Sequence, residues 1–190
     1  MIILASKSPR RAELLKQVCV RFRTEPAEID EGVLSGEAAP DYVRRIAIAK
    51  ARAVQRAFSD QVVLGADTAV VLDRSILGKP RSRAEGIRML GTLAGRMHEV
   101  LTGVAVLAHD RCHYRLSRSR VGLRSISARE MAAYWATGEP CDKAGGYAVQ
   151  GFAALFIEHI EGSYSGIMGL PLFETMQLLN AVGVRSDWDV

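Results

Sequence analysis

Four short polar stretches of this chain combine residue types that bind phosphate, activate water or hold a cation. They are residues 6–11, 67–68, 78–80 and 138–151. The first holds Ser6, Ser8, Arg10 and Arg11 between a short apolar run and a helical pattern. Backbone N–H groups and the positive end of the helix dipole meet at a helix N-terminus, so this stretch is typical of a phosphate cradle. A capped helix with solvated arginines is the alternative.

Asp67 and Thr68 interrupt an otherwise apolar segment, residues 62–72. A carboxylate inside a buried strand is costly unless it is paired or bound to a metal. We interpret the strand as ending at Asp67, because α/β sheets bind ligands beyond the carboxyl ends of their strands. A carboxylate there can hold a divalent cation or activate water. A hydrogen-bonded buried aspartate is the alternative.

Lys50 lies on the apolar stripe of a helix predicted over residues 41–58. The stripe repeats at helical spacing through Val43, Ile46, Ala47, Ala51 and Val54. A lysine on this inward face must either extend out to solvent or reach a cavity. The pattern leaves both outcomes open.

Two further stretches carry single polar candidates. Lys79 stands on a turn, but Pro80 replaces the Ser or Thr of a P-loop, which excludes that motif. Gln150 ends a short strand predicted at residues 147–150, where its amide could read a base edge; an ordinary loop is the alternative. The cluster of His109, Cys112 and His113 lacks a second ligand pair, so it favours a hairpin loop over a metal site.

Apolar runs of strand length alternate with helical patterns, which predicts an α/β fold that positions these residues. Ser8 and Pro9 are typical of an N-cap and first helical position. Capping boxes begin further helices at Ser82 and Ser127. The remaining predicted elements are strands at residues 2–5, 99–107, 118–126 and 155–160 and a final helix at residues 171–181.

Length and composition restrict the class of protein. A chain of 190 residues suits one domain, or one domain folded as two lobes around a cleft. No apolar run approaches the roughly 20 residues of a membrane-spanning helix, and the apolar start is too short for a signal peptide. Three cysteines without a CxxC pair predict a reducing, cytoplasmic location. The net charge of +4, from 25 basic and 21 acidic residues, does not separate a nucleic-acid binder from a phosphate-binding enzyme.

The polar stretches, in this order and spacing, resemble the Maf family of nucleoside triphosphate pyrophosphatases over nearly the whole chain. The matching segments are residues 4–11, 65–68, 78–80, 142–145, 150–151 and 169–172. The resemblance implies a single domain over residues 1–190, with a two-lobed mixed sheet flanked by helices and a central cleft, similar to the inosine triphosphate pyrophosphatase fold. It also implies a hydrolase that needs a divalent cation, Mg²⁺ or Mn²⁺, and forms a homodimer.

The resemblance also implies roles for individual residues. Asp67 resembles the family's proton acceptor, and Glu31 matches an acidic position that could help Asp67 hold the metal. Other matches line the family's phosphate region: Ser6, Arg11, Lys50 and Lys79. Lys50 is therefore expected to point into the cleft. Arg10, Thr68 and Gln150 match positions linked to base choice.

The stretch at residues 142–145, together with Gln150 and Thr68, resembles the branch of the family that acts on dTTP and UTP. Two alternatives remain at this point. One is a pyrophosphatase for 7-methyl-GTP or other modified nucleotides. The other is a nucleic-acid-binding regulator of cell division, although the chain has no helix-turn-helix, zinc-finger or RNP-like motif. We therefore expect a nucleotide substrate, with neither nucleic acid nor a membrane as partner.

Overall fold

A mixed seven-stranded sheet flanked by helices forms the fold, which confirms the α/β class. The computed structural model describes residues 1–109 and 111–188. The strands are β1 (Ile2–Leu4), β2 (Phe22–Thr24), β3 (Val63–Leu72), β4 (Ser75–Leu77), β5 (Met97–Ala108), β6 (Arg111–Leu123) and β7 (Ile157–Glu161). The helices are α1 (Pro9–Gln17), α2 (Ala39–Gln55), α3 (Arg83–Leu93), α4 (Ala128–Ala136), α5 (Tyr164–Met168) and α6 (Leu172–Ala181). No helix in the described ranges is both long and apolar enough to cross a bilayer.

The sheet runs in the order β2-β1-β3-β5-β6-β7, with β4 added to β3. β5 pairs with one edge of β3 from Val63 to Val71, so β1 and β4 must share the other edge. β1 pairs with β3 only as far as Leu64, and β4 begins pairing at Val70. Residues 65–69 of β3 therefore border a gap in the sheet, between β1 and β4.

Side chains of β3 alternate between two separate parts of the core on each face of the sheet. On one face, Val63 packs in a cluster with α2 residues, and Ala69 packs in another. On the other face, Leu64 and Val70 likewise belong to different clusters. Asp67 and Thr68 occupy the intervening positions, so a polar pair separates the apolar clusters on both faces.

The strand predicted to end at Asp67 instead continues to Leu72, so that interpretation was wrong. The backbone keeps pairing with β5 past this point, with Asp67 opposite Gly103 and Thr68 opposite Thr102. Strand pairing uses backbone N–H and C=O groups. A polar side chain therefore ends a strand only where it competes for those groups. The gap between β1 and β4 instead places Asp67, although buried, at the wall of a cleft.

The strand predicted at residues 147–150 is also absent from the described structure. Gly145 and Gly146 precede it with φ of 71° and 69°, and Gly151 follows with φ of 133°. These angles turn the chain at both ends, so no neighbouring strand continues the segment. The backbone N–H of Ala148 donates instead to a side chain, the hydroxyl of Tyr134, at 3.2 Å.

Most other predicted elements are confirmed within a few residues, but the strand predicted from residue 118 begins seven residues earlier, at Arg111. Ser8 caps α1 with Pro9 in the first turn, and Ser127 and Glu130 form a complete capping box on α4. The hairpin expected around Cys112 and His113 is present as β5 and β6, with both residues already in β6.

Gly65 lets α2 approach the sheet closely. A Cβ at this position would lie 2.3 Å from the carbonyl oxygen of Ala47 and 2.9 Å from the amide nitrogen of Ala51, both backbone atoms of α2. We expect Gly65→Ala to lower the free energy of unfolding by about 1–3 kcal/mol, because helix and sheet must separate. Urea denaturation followed by circular dichroism measures this change.

Gly91→Ala is the matched control. Gly91 lies exposed in α3, and a Cβ there would meet only Met131, at the ordinary contact distance of 3.7 Å. Alanine should raise stability slightly at this helical position. Equal unfolding midpoints for Gly65→Ala and the unmutated protein would contradict the close-packing argument.

Candidate active site

The gap beside β3 opens into a cleft of about 1170 Å³. This volume is near the upper end of the roughly 300–1,000 Å³ of small-molecule sites. Every candidate residue taken from the sequence lines it: Ser6, Arg10, Arg11, Glu31, Lys50, Asp67, Thr68, Lys79 and Gln150. These side chains come from α1, α2 and β3 and from the irregular segments between elements.

The chain between β1 and α1 forms one wall of the cleft. Buried Ser6 accepts a hydrogen bond from the backbone N–H of Ser8 at 3.1 Å, which fixes the turn into the helix. Ser8 then accepts from the backbone N–H of Arg11 as the N-cap. The first turn of α1 therefore faces the cleft with its N-terminal end, the arrangement that favours an anion.

Arg11 is held in place by three acceptors on different elements. Its Nε donates to the carbonyl oxygen of Gly169 at 2.8 Å, and its terminal nitrogens donate to Ser6 Oγ at 3.4 Å and Thr68 Oγ1 at 3.2 Å. Burial lowers the pKa of this guanidinium, while the charges of Asp67 and Glu31 act in the opposite direction. The alternative of solvated arginines is therefore wrong for Arg11.

Thr68 points to the opposite face of the sheet from Asp67 and belongs to a row of hydroxyls. Its Oγ1 lies 3.0 Å from Thr102 Oγ1, and Thr102 donates to the carbonyl oxygen of Gly166 at 2.7 Å. Because Thr68 also accepts from Arg11, its hydroxyl is engaged by protein groups. Thr68 therefore orients Arg11 as well as lining the cleft.

Lys50 joins two carboxylates at the centre of the cleft. Its Nζ lies 2.8 Å from Asp67 Oδ1 and 3.1 Å from Glu31 Oε1. Lys50 is only 7% exposed, so the alternative that it extends out to solvent is wrong. Asp67 Oδ2 is buried, and no described residue gives it a hydrogen-bond partner. An orphaned buried acceptor favours a further donor or cation at this position.

The segment that carries Glu31 is tied to α2 by three contacts. Tyr42 donates from its hydroxyl to the carbonyl oxygen of Glu31 at 3.1 Å, and Arg45 donates to the carbonyl oxygen of Gly32 at 2.8 Å. Arg45 also forms a two-pronged ion pair with Glu37, with both distances at 2.6 Å. The hydrogen bond from Arg45 lowers the pKa of Glu37 to about 2. These contacts hold Glu31 beside Lys50.

Tyr42 also lines the cleft and is protonated at neutral pH. Its own burial, followed by the charges of Asp67 and Glu31, raises its pKa to about 12. Sequence reasoning missed Tyr42, Arg45 and Glu37, because their contacts depend on the path of an irregular segment. No helical or strand periodicity specifies that path.

The far wall of the cleft carries Lys79 and Gln150, both exposed. Asp142 and Lys143 also line it and pair with each other. Sequence reasoning used this pair only to assign a branch of the family, although its position in a quoted motif was a usable signal. Behind the wall, buried His98 lies 2.7 Å from the hydroxyl of Tyr147, a cleft-lining residue.

The donor set fits a hard divalent cation. Asp67 and Glu31 supply two carboxylates near one point, and Asp67 Oδ2 lacks a protein partner in the described structure. No group of three or more His, Cys, Asp or Glu side chains able to hold a metal occurs in residues 1–109 and 111–188. Mg²⁺ commonly takes one or two carboxylates and fills its shell with water and substrate phosphate oxygens, so two are enough.

The chain is similar to known proteins over nearly its whole length. A family model described as "Maf-like protein" matches residues 1–182. A protein named dTTP/UTP pyrophosphatase from Alkalilimnicola ehrlichii is 53% identical, and the match covers 94% of this chain and 91% of that protein.

Two further relatives carry the same name. The protein from Methylobacillus flagellatus is 51% identical over 96% of this chain and 93% of its own length. The protein from Pseudoalteromonas atlantica is 46% identical over 98% of this chain and all of its own length. Among solved structures, the Ham1 protein of Staphylococcus aureus matches with a TM-score of 0.45 and 15% identity, covering 67% of this chain and 72% of that one.

The His98–Tyr147 contact predicts a pH-dependent stability. Burial lowers the pKa of His98 to about 4, below its ordinary value near 6.5. Between these values the unfolded chain binds a proton that the folded protein does not. Stability should therefore fall as pH drops through this window, with a contribution from His98 approaching about 1.4 kcal/mol per pH unit.

Urea unfolding midpoints at pH 7, 6 and 5 measure this slope. We expect His98→Gln to have a shallower slope than the unmutated protein. His159→Gln, which changes an exposed histidine, should keep the original slope. Parallel slopes for the unmutated protein and His98→Gln would show that His98 is not responsible.

Proposed function

This chain belongs to the Maf family, and from that membership we propose that it hydrolyses dTTP and UTP to the nucleoside monophosphate and pyrophosphate. The observation that supports this most directly is the Asp67–Lys50–Glu31 cluster, in which Asp67 and Lys50 are buried, inside a cleft with a helix N-terminus. A triphosphate carries several negative charges, and the cleft offers cations from separate elements to receive them: Arg11, Lys50 and Lys79.

We propose that Asp67 is the catalytic base. Asp67 lines the cleft, its Oδ1 accepts a hydrogen bond from Lys50 at 2.8 Å, and its buried Oδ2 has no hydrogen-bond partner among the described residues. Oδ2 can accept a proton from a water molecule as its oxygen attacks the α-phosphorus. The bond from the α-phosphorus to the bridging oxygen then breaks, and pyrophosphate leaves.

The leaving pyrophosphate needs positive charge where its own negative charge develops. In this proposal Arg11, Lys50 and Lys79 bind the triphosphate. Arg11 is oriented beforehand by Gly169, Ser6 and Thr68, so it loses little freedom when substrate binds. Ser6 completes this wall, and its principal contribution is to fix the turn above the helix.

Asp67 and Glu31 would hold a divalent cation, Mg²⁺ or Mn²⁺. When bound, that cation would supply further charge neutralisation on the phosphate oxygens. Lys50 keeps both carboxylates together, because without a cation between them their like charges would repel.

In this proposal Gln150, Arg10 and Thr68, which all line the cleft, recognise the base. Gln150 is exposed, and its amide is available for the hydrogen-bonding edge of a pyrimidine. Thr68 acts on the substrate through Arg11 in addition to any direct contact. The shared name of the relatives favours dTTP and UTP over the 7-methyl-GTP alternative and over a nucleic-acid-binding regulator.

Three further properties are proposals on the same basis. The family match over residues 1–182 supports one Maf-like domain over residues 1–190, with lobes on either side of the cleft. The three cysteines are free and exposed, in keeping with a reducing cytoplasm. We also propose a homodimer, with a nucleotide as substrate and neither nucleic acid nor a membrane as partner.

Asp67→Asn tests the catalytic base. The variant keeps the shape of the side chain and an oxygen for Lys50, but it cannot accept the proton. We expect kcat to fall on the order of 10²-fold or more in a pyrophosphate-release assay with dTTP and Mg²⁺ or Mn²⁺. Asp60→Asn, which changes an exposed aspartate away from the cleft, should leave kcat unchanged. Turnover of Asp67→Asn near that of the unmutated protein would refute the assignment.

A nucleotide panel tests the substrate class. We expect kcat/KM to be highest for dTTP and UTP, compared with ATP, GTP and 7-methyl-GTP. Gln150→Ala should reduce the dTTP-over-ATP preference by about tenfold, the value of a hydrogen bond to the base. Gln17→Ala, on the exposed end of α1, is the control and should keep the preference. A preference for 7-methyl-GTP would move this protein to the other branch.

A further inference from the structure

The backbone on either side of Gln150 donates hydrogen bonds to two side chains that sequence reasoning did not single out. Tyr134 accepts a hydrogen bond from the N–H of Ala148 at 3.2 Å, two residues before Gln150. Glu139 accepts from the N–H of Phe152 at 2.8 Å and from that of Ala153 at 3.2 Å, just after it.

The two side chains are joined to each other. The hydroxyl of Tyr134 donates to Glu139 Oε1 at 2.8 Å, so one network reaches both sides of the Gln150 segment. Burial and the contact with Glu139 raise the pKa of Tyr134, which keeps the phenol protonated and able to donate. We call this pair, Tyr134 with Glu139, the clamp.

Gly151 shows how tightly the clamp fits. Its φ of 133° is a conformation that side chains rarely adopt, and an added Cβ would lie 2.2 Å from a carboxylate oxygen of Glu139. The carboxylate therefore occupies the space directly against the backbone that follows Gln150. Moving Glu139 would free this turn to change its angles.

Tyr134 of the clamp belongs to a well-packed helix, α4. Tyr134 is buried in α4, and its ring meets that of Phe156 edge to face at 5.5 Å. α4 begins at a complete capping box and packs against α3, where Trp135 fills the space beside Gly86. A fixed helix thus helps to set the position of the irregular segment, through hydrogen bonds and through apolar packing.

We propose that Tyr134 and Glu139 are positioning residues for base selectivity, acting through the backbone that presents Gln150 to the nucleotide. This inference rests on the proposed function, in which Gln150 contacts the base. Neither residue is among those lining the cleft, so they do not touch the substrate. The phosphate-binding residues Arg11 and Lys50 belong to other elements, and their geometry is independent of the clamp.

Tyr134→Phe tests the inference, because it removes only the hydroxyl. We expect the ratio of kcat/KM for dTTP to that for ATP to fall by roughly 5- to 10-fold, the value of one misplaced hydrogen bond. A reduced fraction of folded enzyme cancels from this ratio, so a merely structural effect does not move it. The inhibition constant of inorganic tripolyphosphate should stay within about 2-fold, since tripolyphosphate has no base.

Tyr114→Phe is the matched control. It also removes a buried phenol hydroxyl, but one without a hydrogen-bond partner in the described structure and outside the cleft lining. Its selectivity should equal that of the unmutated protein.

Glu139→Gln is the second clamp variant: it keeps the shape but sets an NH₂ group or a weaker acceptor against the backbone N–H groups. It should lower the ratio as Tyr134→Phe does.

A double-mutant cycle with Gln150→Ala separates the role of the clamp from the proposed role of Gln150. If the clamp acts through Gln150, Tyr134→Phe should cause no further loss of selectivity in a Gln150→Ala background. If the losses from Tyr134→Phe and Gln150→Ala multiply in the double variant, the inference is overturned. It is also overturned if both clamp variants keep the normal ratio while Gln150→Ala lowers it. In either case the proposed function would stand. An unchanged ratio in Gln150→Ala itself would overturn the role of Gln150 in the proposed function, and the inference with it.

Discussion

The ion pair between Asp67 and Lys50 is the constraint around which this fold is arranged. Both side chains are buried, at 5% and 7% exposure, in the middle of a sheet and on the inner face of a helix. Removing two charges from water costs several kcal/mol per ion unless close pairing and further hydrogen bonds offset it. The 2.8 Å contact, with Glu31 at 3.1 Å from the same ammonium, provides that compensation. Such a contact needs α2 to lie unusually close to β3, which the missing side chain of Gly65 allows.

Because the Asp67–Lys50 ion pair lies against the sheet, the apolar core around β3 is divided. The apolar residues of β3 fall into separate clusters before and after residues 67–68, on both faces. On the face opposite Asp67, Thr68 and Thr102 continue the polar break across neighbouring strands, in register. Arg11 bonds to Thr68 and so reaches this break from α1. The polar break in the core therefore also brings Arg11, a second cation, to the cleft. The cleft lies where the apolar clusters on either side of this break meet.

How much could be predicted from the sequence depended on whether a contact was local. The cap at Ser8 and the inward position of Lys50 follow from spacing within one helix, and both are confirmed. The location of Asp67 was wrong in detail, because strand continuation depends on backbone pairing with β5, which one-dimensional patterns do not reveal. The segment at residues 147–150 resembled a strand in composition, but the glycines on either side of it take positive φ angles. The contacts of Arg45 and Tyr134 join irregular segments to neighbouring helices, and no periodicity encodes the path of those segments.

The residues at the centre of the cleft and those at two of its edges are supported in different ways. Asp67 and Lys50 lie on β3 and α2, whose geometry is fixed by sheet pairing and helix packing. Glu31 and Gln150 lie on irregular segments, and each segment is tied to a neighbouring helix by its own hydrogen-bonded pair, Arg45 with Glu37 or Tyr134 with Glu139. A change in one of these pairs can therefore shift one edge of the cleft while β3 and α2 keep their places. In the proposed function, a change in the clamp could therefore alter recognition of the base without moving Asp67 or Lys50.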